Sequence, residues 1–194
     1  MFSLADLFSL VLKNNFIMKD PQTLTAVARF HQTFKHPILP SPVIPEANRC
    51  KLRVSLIAEE LKELEEAIAN DDLVEVADAL CDIQYVLSGA VLEFGLADKF
   101  KTLFDEVQRS NMSKACENEK EAMDTVAHYE SKGTNCYYIK TDDVYLVYRK
   151  EDNKTLKSIN YSPADLATIL KTLNHSLFIE PAIVSILLSG FYPL

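Results

Sequence analysis

The sequence predicts an all-α protein, an antiparallel helical bundle carrying a small β-hairpin appendage. Three observations lead there. Apolar residues recur at the helical period through the first two thirds of the chain, and short polar breakers separate these runs. Alternation rich in tyrosine and valine occurs only between Asn135 and Arg149. Glycine is confined to Gly89, Gly95, Gly133 and Gly190, and none opens a GxGxxG or a GxxxxGK[ST] loop, which excludes dinucleotide-fold and P-loop phosphate binding.

The opening MFSLADLFSLVLKNNF carries Asp6 and no early basic residue, and its apolar stretches are short. It is read as an amphipathic helix docking on the body, neither a signal peptide nor a membrane span. Asp20-Pro21 predicts a helix start, with Asp20 as cap and proline at the first helical position. Leu24, Val27 and Phe30 continue that helix. The stretch from His36 to Arg49 holds Pro37, Pro40, Pro42 and Pro45, so it is expected to be an extended loop. A second helix is expected from Lys51 to Ala69 on the repeat of Ile57, Leu61, Leu64 and Ile68, and Asn70-Asp71-Asp72 ends it.

A third helix should run from Leu73 to Phe94 and a fourth from Ala97 to Ser110. Such short connections favour antiparallel neighbours. Between Val76 and Leu92 only Asp78, Asp82, Gln84 and Ser88 are polar, so the third helix should be central. Residues 116–131 read as a fifth helix, stopping at Gly133. Asn135–Lys140 and Val144–Arg149 flank Thr141-Asp142-Asp143 as a hairpin. Ser162-Pro163-Ala164-Asp165 predicts another helix with Ser162 as its cap, and a last short helix is expected from Pro181 to before Gly190.

Charge and cysteine usage narrow the function. With 28 acidic against 20 basic residues the net charge is −8, which argues against a nucleic-acid partner needing a basic face. A nucleotide substrate stays open, because divalent cations invert the sign of an acidic pocket. Cys50, Cys81, Cys116 and Cys136 never form a CxxC pair and the four histidines are scattered, which argues against a zinc site. Cys81 lies in an apolar run and is expected to be a buried free thiol, which suits a reducing cytoplasm.

The chemistry concentrates in carboxylates. Glu59, Glu60 and Glu63 lie on the second helix; Glu75, Asp78 and Asp82 on the third fall within an arc of about 60°. One reading is a solvated face, or pairing to Lys51, Arg53 and Lys62. The other is a cation site, since unpaired carboxylates on a buried helix are costly unless compensated. All-oxygen donors without histidine or thiolate point to Mg²⁺ or Mn²⁺.

Glu60-x-x-Glu63 followed by Glu75-x-x-Asp78 resembles the ExxE…ExxD signature of the all-α NTP pyrophosphohydrolases, the MazG-like and phosphoribosyl-ATP pyrophosphohydrolase-like group. LRVSLIAEELKELEEAI, EVADALCDIQYVLSG, FDEVQRSNMSK and the upstream FHQTFKHPILPSP are similar to one branch of it, and the resemblance covers residues 20–115. Members of that branch often follow NMSK closely with DGKxLK. Here the similar string is Asp152–Ser158, after an insertion and with Asn153 in place of the glycine.

The resemblance implies Mg²⁺ held by Glu60, Glu63, Glu75 and Asp78, with Asp82 as a further ligand or an outer carboxylate. Glu59 would orient or deprotonate the attacking water. Asn111 and Lys114 would contact phosphate or sugar, Lys154 and Lys157 would add cations, and His31 with Phe34 would line a base pocket. The implied reaction cuts a nucleoside triphosphate between its α and β phosphates, giving a monophosphate and pyrophosphate, in cleaning of the nucleotide pool.

The division that follows is residues 1–133 as the helical catalytic bundle, 134–160 as the hairpin and Lys-rich segment, and 161–194 as a C-terminal helical extension. A homodimer or higher homo-oligomer is expected, because few short helices cannot cover an all-round apolar third helix. Neither nucleic acid nor membrane is expected as a partner. The rival reading is a catalytically idle, cation-binding homologue with a regulatory role, whose residues 116–194 dock a partner.

Overall fold

The computed structural model describes residues 19–172, so the expected N-terminal amphipathic helix and the helix from Pro181 lie outside the described residues. The chain divides into two compact units, one ending at Gly95 and the other beginning at Leu96. The described residues are mostly helical, with a small two-stranded antiparallel sheet. No single helix among them is long and apolar enough to cross a membrane.

The first unit holds α1 (Thr23–Phe34), α2 (Ala47–Ala69) and α3 (Leu73–Glu93). α2 packs along α3, and α1 packs on α3. Asp20 does not cap α1. The Thr23 amide instead donates to the Pro21 carbonyl at 2.9 Å, so a tight turn intervenes and the helix starts later. The proline segment is extended only as far as Pro45. It is pinned along the end of α3 by Leu39 N–H to Leu92 O (3.0 Å) and Val43 N–H to Phe94 O (3.1 Å). No proline follows Pro45 in the stretch up to Ala69, so α2 begins at Ala47, ahead of the expected Lys51. Asp72 Oδ1 then accepts from Val74 and Glu75 and caps α3.

Glu93, at the end of α3, is 1% exposed and joins the helices through charge. Its carboxylate accepts from Arg49 Nε at 3.0 Å and from Nη2 of both Arg49 and Arg53, all on α2. Gly89 lets that guanidinium lie against α3, since a β-carbon there would stand 2.6 Å from Arg53 Nη1. Gly95 closes α3 at φ +65°, where a β-carbon would collide with the Ser41 carbonyl. Gly95→Ala is therefore expected to lower stability by more than the left-handed penalty alone, about 1–2 kcal/mol. Chemical denaturation of the full chain checks this.

The third helix is not covered all round. Leu73, Val74, Leu80 and Cys81 are exposed, because the packed helices cover only one side of it. The buried cysteines are Cys116 and Cys136 rather than Cys81.

The second unit holds α4 (Ala97–Met112), α5 (Glu119–Glu130), β1 (Cys136–Thr141), β2 (Val144–Arg149) and α6 (Leu166–Lys171). α4 runs past Ser110, so Asn111 sits in its last turn. Residues 116–118 are not helical: Cys116 exchanges two 2.8 Å backbone bonds with Tyr145, and Asn118 caps α5 by accepting from Glu121 N–H. The strands pair from Cys136 with Arg149 to Thr141 with Val144, so the turn is Asp142-Asp143 alone. The hairpin rests on α5 over a core of Cys116, Ala122, Cys136, Val147 and Leu156. Asp165, not Ser162, caps α6 by accepting from Thr168 N–H at 3.1 Å. Ser162 is held instead by Ser113, whose Oγ accepts from its amide at 3.0 Å.

Candidate active site

Glu59, Glu60 and Glu63 project from α2, and Glu75, Asp78 and Asp82 from α3. Glu60 and Asp82 are half-buried; the others are exposed. Among the described residues these carboxylates form no ion pair and no side-chain hydrogen bond. The expected cations go elsewhere: Arg53 pairs with Glu93, and Lys62 with Glu66 at 3.0 Å. Burial raises the Glu60 pKa above the usual glutamate range, and the negative charges of Asp82, Glu63, Glu59 and Asp78 push it further. Glu60 thus marks where the two helices bring their acids together.

Hard, unpartnered oxygen donors suit a cation such as Mg²⁺. Among the described residues no three of these side chains converge on one point. The fit is therefore one of donor chemistry and placement on α2 and α3, not of a finished cage.

His31 is buried in the wall of a cavity of about 230 Å³, with Phe30, His36, Leu52, Arg53 and Tyr85. The His36 ring stacks on Phe30 at 5.7 Å and Tyr85 meets it edge-on at 5.6 Å. His31 Nδ1 donates to the Pro37 carbonyl at 2.8 Å, and burial holds the ring's pKa down. A neutral ring donating from Nδ1 leaves Nε2 as an acceptor. Arg53 also lines this wall, and its Nε is buried with no hydrogen-bond partner among the described residues. Phe34 lies outside the lining, tilted against Phe30 with ring centroids 4.4 Å apart, and is exposed.

In the second unit, Lys114 Nζ donates to Asn111 Oδ1 at 2.8 Å, and the Lys114 carbonyl accepts from Ser158 N–H at 3.1 Å. That bond brings the segment after the hairpin back to the end of α4. Lys157 arrives with it, its ammonium 4.0 Å from the Tyr161 ring centroid. Lys154 does not join this group. It sits on the turn after β2, where its carbonyl accepts from Arg149 N–H and its amide donates to Asp152. Asn153 takes φ +57° in that turn, a conformation asparagine tolerates well among non-glycine residues. Tyr161 and Glu93 went unnoticed in the sequence. An acid closing the stretch from Tyr85 to Leu92, where Ser88 is the only other polar side chain besides the Tyr85 hydroxyl, was the available signal for Glu93.

Residues 27–111 match the phosphoribosyl-ATP pyrophosphohydrolase family, a family of hydrolases. The chain is also similar to the uncharacterized protein L479 of Acanthamoeba polyphaga mimivirus, 25% identical over 237 residues. That alignment covers 75% of this chain and 94% of the relative. The six carboxylates and His31 fall inside the matched stretch, whereas the hairpin, Lys154 and Lys157 follow it. Together with the unpaired acids on α2 and α3, this identifies residues 27–111 as a phosphoribosyl-ATP pyrophosphohydrolase domain of the MazG-like all-α NTP pyrophosphohydrolase superfamily.

Proposed function

We propose that the protein hydrolyses a nucleoside triphosphate between its α and β phosphates, in a Mg²⁺-dependent reaction that cleans the cytoplasmic nucleotide pool. The observation that carries this reading is the set of carboxylates around Glu60, left without cation partners inside a pyrophosphohydrolase domain. Mg²⁺ held by Glu60, Glu63, Glu75 and Asp78, with Asp82 beside them, would offset the negative charge of the phosphates. Glu59, about 100° round α2 from Glu60, takes the proton of the water that attacks the α-phosphorus. The bond from that phosphorus to the α–β bridging oxygen breaks, and pyrophosphate leaves with the electron pair. The base enters the cavity walled by His31, and Asn111, Lys114 and Lys157 of the second unit carry donors and charge that suit phosphate oxygens. Four free thiols suit a reducing compartment.

Pyrophosphate release from a panel of dNTPs, with Mg²⁺ and then with EDTA, tests the reading. Release only with metal supports it. Metal binding without release in any member leaves a catalytically idle homologue.

The helices of this reading form an antiparallel bundle that a second copy completes over the exposed side of α3. Sedimentation at micromolar concentration is expected to show a dimer or larger species. A stable monomer would count against that arrangement.

A further inference from the structure

We propose that Tyr161 is a positioning residue whose ring holds the Lys157 ammonium beside Lys114, making a two-cation clamp for a polyphosphate anion. The proposal rests on the nucleotide-hydrolase reading and extends it past the 27–111 domain.

Four contacts build the clamp. Ser158 N–H donates to the Lys114 carbonyl at 3.1 Å, and Tyr161 N–H donates to the Ser158 carbonyl at 3.0 Å. The Tyr161 hydroxyl shares a 3.0 Å hydrogen bond with Ser110, which orients the ring at the end of α4. Lys157 then lies 4.0 Å from the ring centroid, within cation–π range. The hydrogen bond from Ser110 holds the phenol's pKa below its usual value, and the charges of Lys157 and Lys114 lower it further. The Lys157 ammonium thus stands against the ring, on a segment whose next residue, Ser158, is bonded to the Lys114 backbone.

What makes this an anion site is the missing compensation. Among the described residues neither Lys114 nor Lys157 forms an ion pair. The neighbouring acid Glu106 is occupied by Arg109, with two bonds of 2.8 Å, and by the Asp165 amide. Two like charges on segments bonded to each other repel as they approach, and an anion spanning both relieves that repulsion while gaining charge-assisted hydrogen bonds. A chain of linked phosphoryl groups matches such a pair better than a single carboxylate. Lysine's mobile stem would otherwise lose rotamer freedom on binding, and the ring removes part of that loss beforehand.

The test titrates inorganic tripolyphosphate into the full chain in EDTA at fixed low ionic strength, followed by calorimetry. EDTA removes any route through metal at the carboxylates. Lys157→Ala and Tyr161→Leu are each expected to weaken binding about three- to tenfold. The double variant should bind no worse than Lys157→Ala alone, because both changes remove one device. Tyr161→Phe keeps the ring but loses the Ser110 bond that orients it, and should bind between wild type and Tyr161→Leu. In turnover assays the two weakened variants should raise KM with kcat little changed.

Wild-type binding by Tyr161→Leu, or a Tyr161→Phe loss as large as that of Tyr161→Leu, would overturn the proposal. Should Tyr161→Leu fail to fold, the Lys157 methylene resonances of the wild type must shift as tripolyphosphate is added; static resonances would overturn it equally. A chain that binds tripolyphosphate through these residues but hydrolyses no nucleotide keeps the clamp and loses the enzymatic reading. A chain that hydrolyses nucleotides with an unchanged KM in Tyr161→Leu does the reverse.

Discussion

Glu63→Gln and Asp78→Asn are each expected to reduce pyrophosphate release more than about a hundredfold, beyond the usual effect of disturbing an outer partner of a metal ligand. The apo fold should be at least as stable as wild type. Both residues are exposed and form no ion pair among the described residues, so neutralising either breaks no pairing there. What it removes is repulsion. The Glu60 pKa is raised by burial first and then by its acidic neighbours, Glu63 and Asp78 among them. A carboxylate raised in the folded state contributes stability below the unfolded glutamate pKa, about 4.3, and that contribution is lost as pH rises through the folded value. At neutral pH the metal-free site therefore opposes folding, and losing one neighbouring charge relieves it. Melting curves in EDTA, run beside the activity assay, check both halves. A sharp drop in melting temperature for both variants would make these acids structural partners, and the proposed site would fall.

Glu93→Gln should do the opposite to the fold. Removing one partner of a buried ion pair typically costs about 3–5 kcal/mol, because the other charge is left buried and uncompensated. Here two cations, Arg49 and Arg53, depend on the one carboxylate. Burial alone would push the Glu93 pKa up, but the hydrogen bonds from Arg49 and Arg53 outweigh it and the net shift is downward. For a lowered carboxylate the sign reverses: its contribution is complete above about pH 4.3 and disappears as pH falls through the folded value. Urea denaturation of wild type and variant at pH 7 and near pH 3 tests this, with the difference between them expected to shrink on acidification. A difference that grew instead would mean that this triad does not govern acid stability.

Periodicity carried the helices well wherever one face was plain. Ile57, Leu61, Leu64 and Ile68 placed α2, and the acids of α2 and α3 stood out because α3 is otherwise so apolar. Local punctuation was less faithful. Asp20-Pro21 and Ser162-Pro163 both have the composition of a helix start, yet α1 opens after a turn at Pro21, and Asp165 outcompetes Ser162 for the amides of α6. Pairings across the fold were not legible at all. Arg53 looked like a partner for the nearby acids and instead reaches Glu93, forty residues away along the chain. Lys154 and Lys157 read alike in sequence, and only the return of Ser158 to Lys114 separates them. Cys81 sits in an apolar run, but periodicity does not tell whether a neighbour covers that side.

That return has a consequence for how the chain tolerates its long insertion. Cys116, Ala122, Cys136, Val147 and Leu156 all lie between the two residues that the Lys114–Ser158 bond joins, so the insert packs its own small core. A segment whose entry and exit meet at one hydrogen bond behaves as a cassette. It can melt, lengthen or be exchanged for a short linker while the chain on either side keeps its path, because the ends need not part. Native-state hydrogen exchange should then show the hairpin amides opening together, as one cooperative step separate from α2 and α3.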